Sequence, residues 1–258
     1  MNQIIDALMS RKSVRAYEDK AVPEEIREAV LKAAMRAPTA GNQMLYSIIE
    51  VEDQKSKDVL AVTCDHQPFI AKAPYVLLFL ADYQRWYDYF EAAGVPELCS
   101  GAGREMRKPE EGDLFLACCD ALIAAQTAVI AAESFGLGAC YIGDIIENYE
   151  KHRELFNLPD YAFPIALVCF GYPTEQQKQR PQPERYKKEY VVFKDKYKRL
   201  SGEEFEDMFR SSDEKLFRER TAINGAENYG QHMYLRKFDS DFSKEMSRSA
   251  REILKHWK

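Results

Sequence analysis

Apolar residues recur along this chain in two rhythms, and each rhythm predicts a type of element. Ile4, Ile5 and Leu8 share one side of a short helix from Gln3 to Ser10. Ile26, Ala29, Val30, Ala33 and Ala37 return at helical spacing. That second helix opens at Val22-Pro23-Glu24-Glu25, where proline suits the first turn and the acids face the positive end of the helix dipole. Pro38 ends it. Continuous apolar runs at 46–51 and 75–81 predict strands covered on both faces. Residues 163–170 form a third such run, stopped by Gly171-Tyr172-Pro173, and 139–142 a short fourth. Helices intervene between the strands, so the class is α/β or α+β.

Residues 114–132 are the most apolar stretch. A membrane span needs about 20 apolar residues. This one contains Asp120, Gln126 and Thr127 and begins and ends with acids, which favours a buried central helix. Being hydrophobic all round, it needs cover on every side, which a subunit interface could supply. Beyond Gln182 the character changes. Lysine and tyrosine crowd 186–199, and Ser201-Gly202-Glu203-Glu204 reads as a capping box opening a short helix. The last helix carries Phe242, Met246, Ile253, Leu254 and Trp257 on one stripe, with lysines and arginines elsewhere. Such a helix can touch a membrane or nucleic acid; the plainer reading docks the stripe on the body of the protein or on a partner subunit. No internal repeat or low-complexity segment is visible.

With 258 residues, 46% of them hydrophobic, the chain can bury a sizeable core as one domain with an extension or as two small domains. A net charge of -6 gives no global positive field, so no nucleic-acid partner is expected. The first residues lack a basic leader followed by an apolar run, which argues against secretion by that route. The six cysteines form no Cys-x-x-Cys and have no histidine at zinc spacing, so no metal site is expected. They read as reduced, mostly buried thiols of a cytoplasmic protein. His66, His152, His232 and His256 are scattered and compose no triad.

Four clusters carry candidate chemistry. Arg11-Lys12-Ser13-Val14-Arg15 puts three cations and a hydroxyl in five residues, which makes either an anion site or a solvated basic helix end. Arg36-Ala37-Pro38-Thr39-Ala40-Gly41-Asn42 offers small residues that let backbone approach a ligand, or is an ordinary helix-to-strand loop. Gly136-Leu137-Gly138-Ala139-Cys140-Tyr141-Ile142-Gly143 exposes backbone N–H groups, or merely caps the long helix. Lys178-Gln179-Arg180-Pro181 is a second basic pair after the third long strand.

The order and spacing of these segments, together with the strand ending in Ala81-Asp82 and the one ending in Gly171-Tyr172-Pro173, resemble the nitroreductase family over roughly residues 1 to 183. The resemblance implies an α+β sandwich, a central mainly antiparallel sheet flanked by helices. An FMN-binding domain would span 1–183, and a C-terminal helical extension, 184–258, would pack on the partner subunit of a homodimer. It also implies a soluble enzyme passing electrons by a ping-pong cycle from NADPH or NADH, through FMN, to nitroaromatics, quinones or related small acceptors. A reductive dehalogenase, a flavin-fragmenting oxygenase and a non-catalytic FMN carrier or redox sensor are the alternatives.

Carried over by position, Arg11, Lys12 and Ser13 would hold the FMN phosphate and ribityl chain, and Arg15 would lie near the pyrimidine edge. Thr39 and Asn42 would line the ring, and Gln67, in His66-Gln67-Pro68, would reach the ribityl chain. Tyr141, Ile142 and Gly143 would cover one flavin face, and Lys178 and Arg180 would close the phosphate site. The sequence departs from the family after Gly41-Asn42: Gln43 is followed by Met44-Leu45-Tyr46 where Gln-Pro-Trp is usual, which leaves the substrate pocket open. Arg15 has a physical role in this reading, because a permanent cation favours the flavin edge that gains negative charge on reduction.

Overall fold

The computed structural model describes residues 2–223 and 225–257 and divides the chain into two compact units, residues 1–181 with 245–258, and residues 182–244. In the first unit the elements run α1 (Gln3–Ser10), α2 (Glu24–Ala34), β1 (Tyr46–Glu50), α3 (Gln54–Thr63), α4 (Phe69–Lys72), β2 (Tyr75–Asp82), α5 (Gln84–Ala92), α6 (Val95–Gly101), α7 (Glu111–Ser134), β3 (Gly138–Ile142), α8 (Tyr149–Leu155), β4 (Ala162–Gly171) and α9 (Glu175–Gln179). The second unit holds α10 (Gly202–Arg218) and α11 (Tyr229–Met233), and α12 (Asp241–Ile253) leads from it back to the first. The expected extension began at 184 and ran to the end of the chain; by compactness its last stretch, 245–258, groups with the sheet instead.

The four strands form one antiparallel sheet in the order β1-β2-β4-β3. Alternation along the central strands splits their side chains between two layers. Leu77, Phe79, Ala166, Val168 and Phe170 face α2 and α7, while Val76, Leu78, Leu80, Leu167 and Cys169 pack with Leu60, Cys64 and Ile70 of the other layer. Every residue of β2 is buried, as its apolar run predicts. β1 was expected to be covered equally and is not: only Tyr46 is fully buried, because the strand lies at the sheet edge.

α7 is long and apolar enough to cross a membrane by length and composition alone. Here it is the central core helix. Ala121, Ala124, Ala125, Ala128 and Ala132 form a small-residue face that packs in the core with the sheet residues and with Val30 and Ala34 of α2. Cover on every side is absent, however, since Phe115, Leu116, Leu122 and Ile123 stay exposed within the single chain. α2 stops at Ala34, four residues before Pro38, and Met35 to Ala37 close it as a turn. The residue before a proline avoids the helical region, so the helix ends early.

At the far end of the sheet, Ile253 and Trp257 pack with Leu45, Tyr149, Tyr161 and Phe163, with Trp257 wholly enclosed. The apolar stripe of the last helix thus docks on the body of its own chain. All six cysteines are free, and Cys64, Cys99, Cys140 and Cys169 are buried. In the second unit the capping box at Ser201 is present, with Ser201 Oγ accepting from Glu204 N and Glu204 Oε2 from Ser201 N. It opens a helix of 17 residues, longer than the sequence suggested.

Candidate functional site

The segment after α1 forms a strap across one end of the sheet. Val14 N donates to Ala139 O at 3.0 Å, Glu18 N to Tyr172 O at 2.8 Å and Thr174 N to Ala16 O at 3.3 Å. Tyr17 lies on the sheet behind it, its hydroxyl 2.8 Å from Val14 O and 3.2 Å from Cys169 O. Two glycines make room for this crossing. Gly138 and Gly171 face each other across the β3–β4 ladder. A Cβ on Gly138 would stand 2.4 Å from Val14 Cγ2, and one on Gly171 would stand 2.7 Å from Tyr17 Cδ1 and from Pro74 Cγ. Gly136, by contrast, is the helix cap that the sequence allowed: its φ is +77°, and its N–H closes on Glu133 O.

The strap brings the two basic clusters together. Lys12 Nζ donates to Lys178 O at 2.6 Å and to Arg180 O. Arg180 Nη2 donates to Ser13 O at 2.6 Å, and Arg15 N donates to Gln177 Oε1 at 3.2 Å. Arg11 and Arg15 both act on the Cys140 thiol, whose pKa burial raises while their charges oppose the rise. Three guanidinium groups and one ammonium therefore gather where the strap meets β3 and the segment after β4. A lysine ammonium has three donors and arginine five, so both Lys12 and Arg180 retain donors beyond these structural contacts. Lys178 behaves differently: its ammonium donates to Glu175 at 2.6 Å and to Glu18 at 3.4 Å, and only its carbonyl joins the cluster. Arg11 Nε also lies 3.6 Å from Glu133, a carboxyl that burial pushes up to about 7 against the pull of Arg11.

β3 continues from this cluster to the other predicted residues. Period-two alternation sends Cys140 and Ile142 into one core layer and Tyr141 towards the other. Ile142 is fully buried, so its main chain is what it can offer to a ligand. Tyr141 is half-buried, its hydroxyl 3.4 Å from Gln126 on α7. Gly143 is exposed, with open space where a Cβ would sit. Next to it, Asp144 accepts from Gln67 Nε2 at 2.7 Å, and Gln67 also donates to Cys64 O at 2.9 Å. Gln67 and Gly143 are thus neighbours through Asp144, a residue that sequence reasoning did not single out.

Thr39 and Asn42 occupy a separate turn. Its anchor is Asp120, buried on α7, which accepts from Thr39 Oγ1, from Ala40 N at 3.0 Å and from Leu45 N at 3.1 Å. Thr39 Oγ1 accepts in turn from Met44 N at 2.8 Å. The turn projects Asn42 outward in the left-handed region, φ +57°. Within one chain no hydrogen bond among the described residues joins Asn42 to the basic cluster. α5 holds the other end of the segment: Trp86 Nε1 donates to Gln43 O at 2.7 Å and Arg85 Nη2 to Tyr46 O at 3.0 Å. The departure at Met44-Leu45-Tyr46 is accommodated in the core, where Leu45 and Tyr46 are buried.

Glu147 closes the turn after Gly143 and escaped the sequence reading. It is 5% exposed, and its Oε1 has no hydrogen-bond partner among the described residues. Burial pushes its pKa from 4.5 up to about 8, and Asp144, Asp65 and Glu245 add to the rise. A carboxyl whose folded pKa exceeds its unfolded value binds its proton more tightly in the native state, so stability falls as pH rises between the two values. Stability is therefore expected to decline across the window from 4.5 to about 8. Glu147→Gln should flatten that decline. Urea unfolding of both proteins at about pH 5 and about pH 9 checks this, and parallel losses would refute it.

The nitroreductase family model matches residues 8–172. An NAD(P)H-dependent FMN reductase of Bacillus subtilis is 31% identical over 216 residues, 84% of this chain and 82% of that protein. An NADPH-dependent FMN reductase of the same organism is 30% identical over 227 residues, 86% of each. The solved structure of a nitroreductase from B. subtilis superposes with a TM-score of 0.78 at 26% identity, covering 97% of this chain and 98% of that one.

Proposed function

This chain belongs to the nitroreductase family, and on that footing we propose that it is an FMN-dependent NAD(P)H oxidoreductase acting on nitroaromatics, quinones or related small acceptors. The observation that carries the reading is the convergence of Arg11, Lys12 and Arg15 with Arg180, more than 160 positions apart, on one edge of the sheet. That donor set fits a phosphate ester: fixed cations supply charge, and arginine adds planar paired donors.

FMN, when bound, supplies hydride acceptance and donation, and the protein supplies placement and electrostatics. Arg11, Lys12, Ser13 and Arg180 bind the phosphate end, and Lys178 braces the segment that carries Arg180. Arg15 holds a permanent charge beside the edge of the ring that becomes negative. Gln67, oriented by Asp144, reaches the ribityl chain, while Tyr141, the Ile142 main chain and Gly143 bound one face. Thr39 and Asn42 line the ring. Nicotinamide and acceptor take turns over the same open face, so neither needs a pocket of its own.

The purified protein should show a flavin spectrum that bleaches when NADPH is added without oxygen. A colourless protein that takes up no added FMN would sink the reading. Arg15→Ala is expected to lower the flavin midpoint potential by about 30 mV, the equivalent of a tenfold change for a two-electron couple. Dye-equilibrium titration measures it, and an unchanged potential would remove the role given to Arg15.

The enzyme works as a cytoplasmic homodimer in this reading. The outward face of α7, exposed and apolar at Phe115, Leu116, Leu122 and Ile123, is the kind of surface that marks a protein–protein contact and suits a second copy, and the 184–244 part of the extension packs on that copy. Phe115→Asp should then shift the protein to monomer in sedimentation-velocity runs, whereas an unaltered dimer would exclude that face.

A further inference from the structure

Apart from the basic cluster, the first unit contains a partly open cavity of about 240 Å³ between α5, α6 and the loop that follows α6. Its walls are Tyr83, Tyr87, Phe90, Leu98 and Met106. The aromatic walls are backed from behind: Tyr87 packs on Tyr161 with ring centroids 5.1 Å apart, and Phe90 on Trp86 at 5.6 Å. An apolar cavity of about 150 Å³ holds benzene, so this one has room for a substituted ring or a fused pair.

Charge at the rim selects among such molecules. Arg107 is neutralised in place, its guanidinium donating to both carboxylate oxygens of Asp113 at 2.5 and 3.0 Å. Arg104 is different. It lines the same cavity, and among the described residues its guanidinium has neither a hydrogen bond nor an ion pair. A planar aromatic wall with an uncommitted planar cation at its mouth complements a flat ring bearing an anionic substituent.

We propose that this cavity is a second ligand site, one that takes small aromatic carboxylates with the ring among Tyr83, Tyr87 and Phe90 and the carboxylate on Arg104. It shares no residue with the basic cluster and does not depend on the flavin reading. The floor helix α5 also grips the segment after Asn42 through Arg85 and Trp86. An occupant therefore touches the same helix that holds that segment.

Naphthalene-1-carboxylate titrated into the full-length protein is the test, followed by calorimetry and by tryptophan emission, to which Trp86 beside Phe90 responds. Saturable binding is expected. The uncharged naphthalene-1-carboxamide and the Arg104→Gln variant should each bind about tenfold more weakly, the effect of losing one charge-assisted contact at a partly solvated rim. Val95→Trp, which fills the cavity from its wall, should abolish binding. Arg104 is exposed, so its variant keeps the test decisive even if Val95→Trp fails to fold. Binding equally strong in both variants would place the anion elsewhere, over the flavin for example, and overturn the proposal. So would an absence of saturable binding.

Discussion

Asp120→Ala is expected to destabilise the protein by roughly 3–5 kcal/mol, the lower part of what three orphaned donors cost together, and to release the turn that carries Asn42. The carboxylate is buried and accepts from Thr39 Oγ1, Ala40 N and Leu45 N. Alanine leaves all three donors without that acceptor, Leu45 N fully buried and those of Thr39 and Ala40 half-buried, at a cost of roughly 1–3 kcal/mol for each unsatisfied group. Thr39 cannot compensate, because its oxygen is also the acceptor for Met44 N. Asp120→Asn retains an acceptor and much of the shape, so it should lose less than half as much. Urea unfolding at neutral pH compares the two. A mutant pair of equal stability would show that neither the retained shape nor a single acceptor oxygen holds the turn.

The second large effect falls on the strap. Gly138→Ala puts a methyl group 2.4 Å from Val14 Cγ2 and 2.8 Å from its Cβ, and Val14 is itself buried. Overpacking of this kind typically costs about 1–3 kcal/mol. Here the neighbour can retreat only by lifting the segment that bears Arg11, Lys12, Ser13 and Arg15. The expected outcome is a folded protein with FMN affinity reduced about a hundredfold, since in the proposed reading several phosphate contacts move together, each worth roughly 1.5 kcal/mol or more. Because the three nearest atoms all belong to Val14, the double variant with Val14→Gly should be less impaired than the two single losses predict. Full additivity would mean that the two side chains do not meet. Fluorescence titration of free FMN into the stripped proteins measures each term.

These two sites show what a linear reading can and cannot find. Unbroken apolar runs disclosed the strands to within a residue or two at each end, and β2 is as buried as its composition implies. The same logic misjudged β1, because an edge position is decided by strand order, which no single run encodes. α5 and α6 were not delimited: residues 84–101 mix aromatic and charged side chains without one clean stripe, and they enclose a cavity in place of a solid core. The basic clusters at 11–15 and 178–180 were visible as charge, and a resemblance in spacing suggested that they meet. The means of meeting was invisible, since Gly138 and Gly171 read equally well as cap and strand end. Asp120 was noticed only as a polar interruption of an apolar helix. Glu147 gave no signal, because the acids that surround it come from positions 65, 144 and 245.

The enclosure of Trp257 with Tyr161 and Phe163 bears on biosynthesis. Translation proceeds at about 5–20 residues per second, so roughly 4–15 s separate residue 181 from residue 257 at the ribosome. During that interval the strap and all four strands are complete, yet Tyr149, Tyr161 and Phe163 lack the indole that seals them. The nascent chain thus waits with an oily seam unsealed, and a chaperone that shields this seam until the second tryptophan emerges would raise the yield of active protein more than one that acts on the finished sheet.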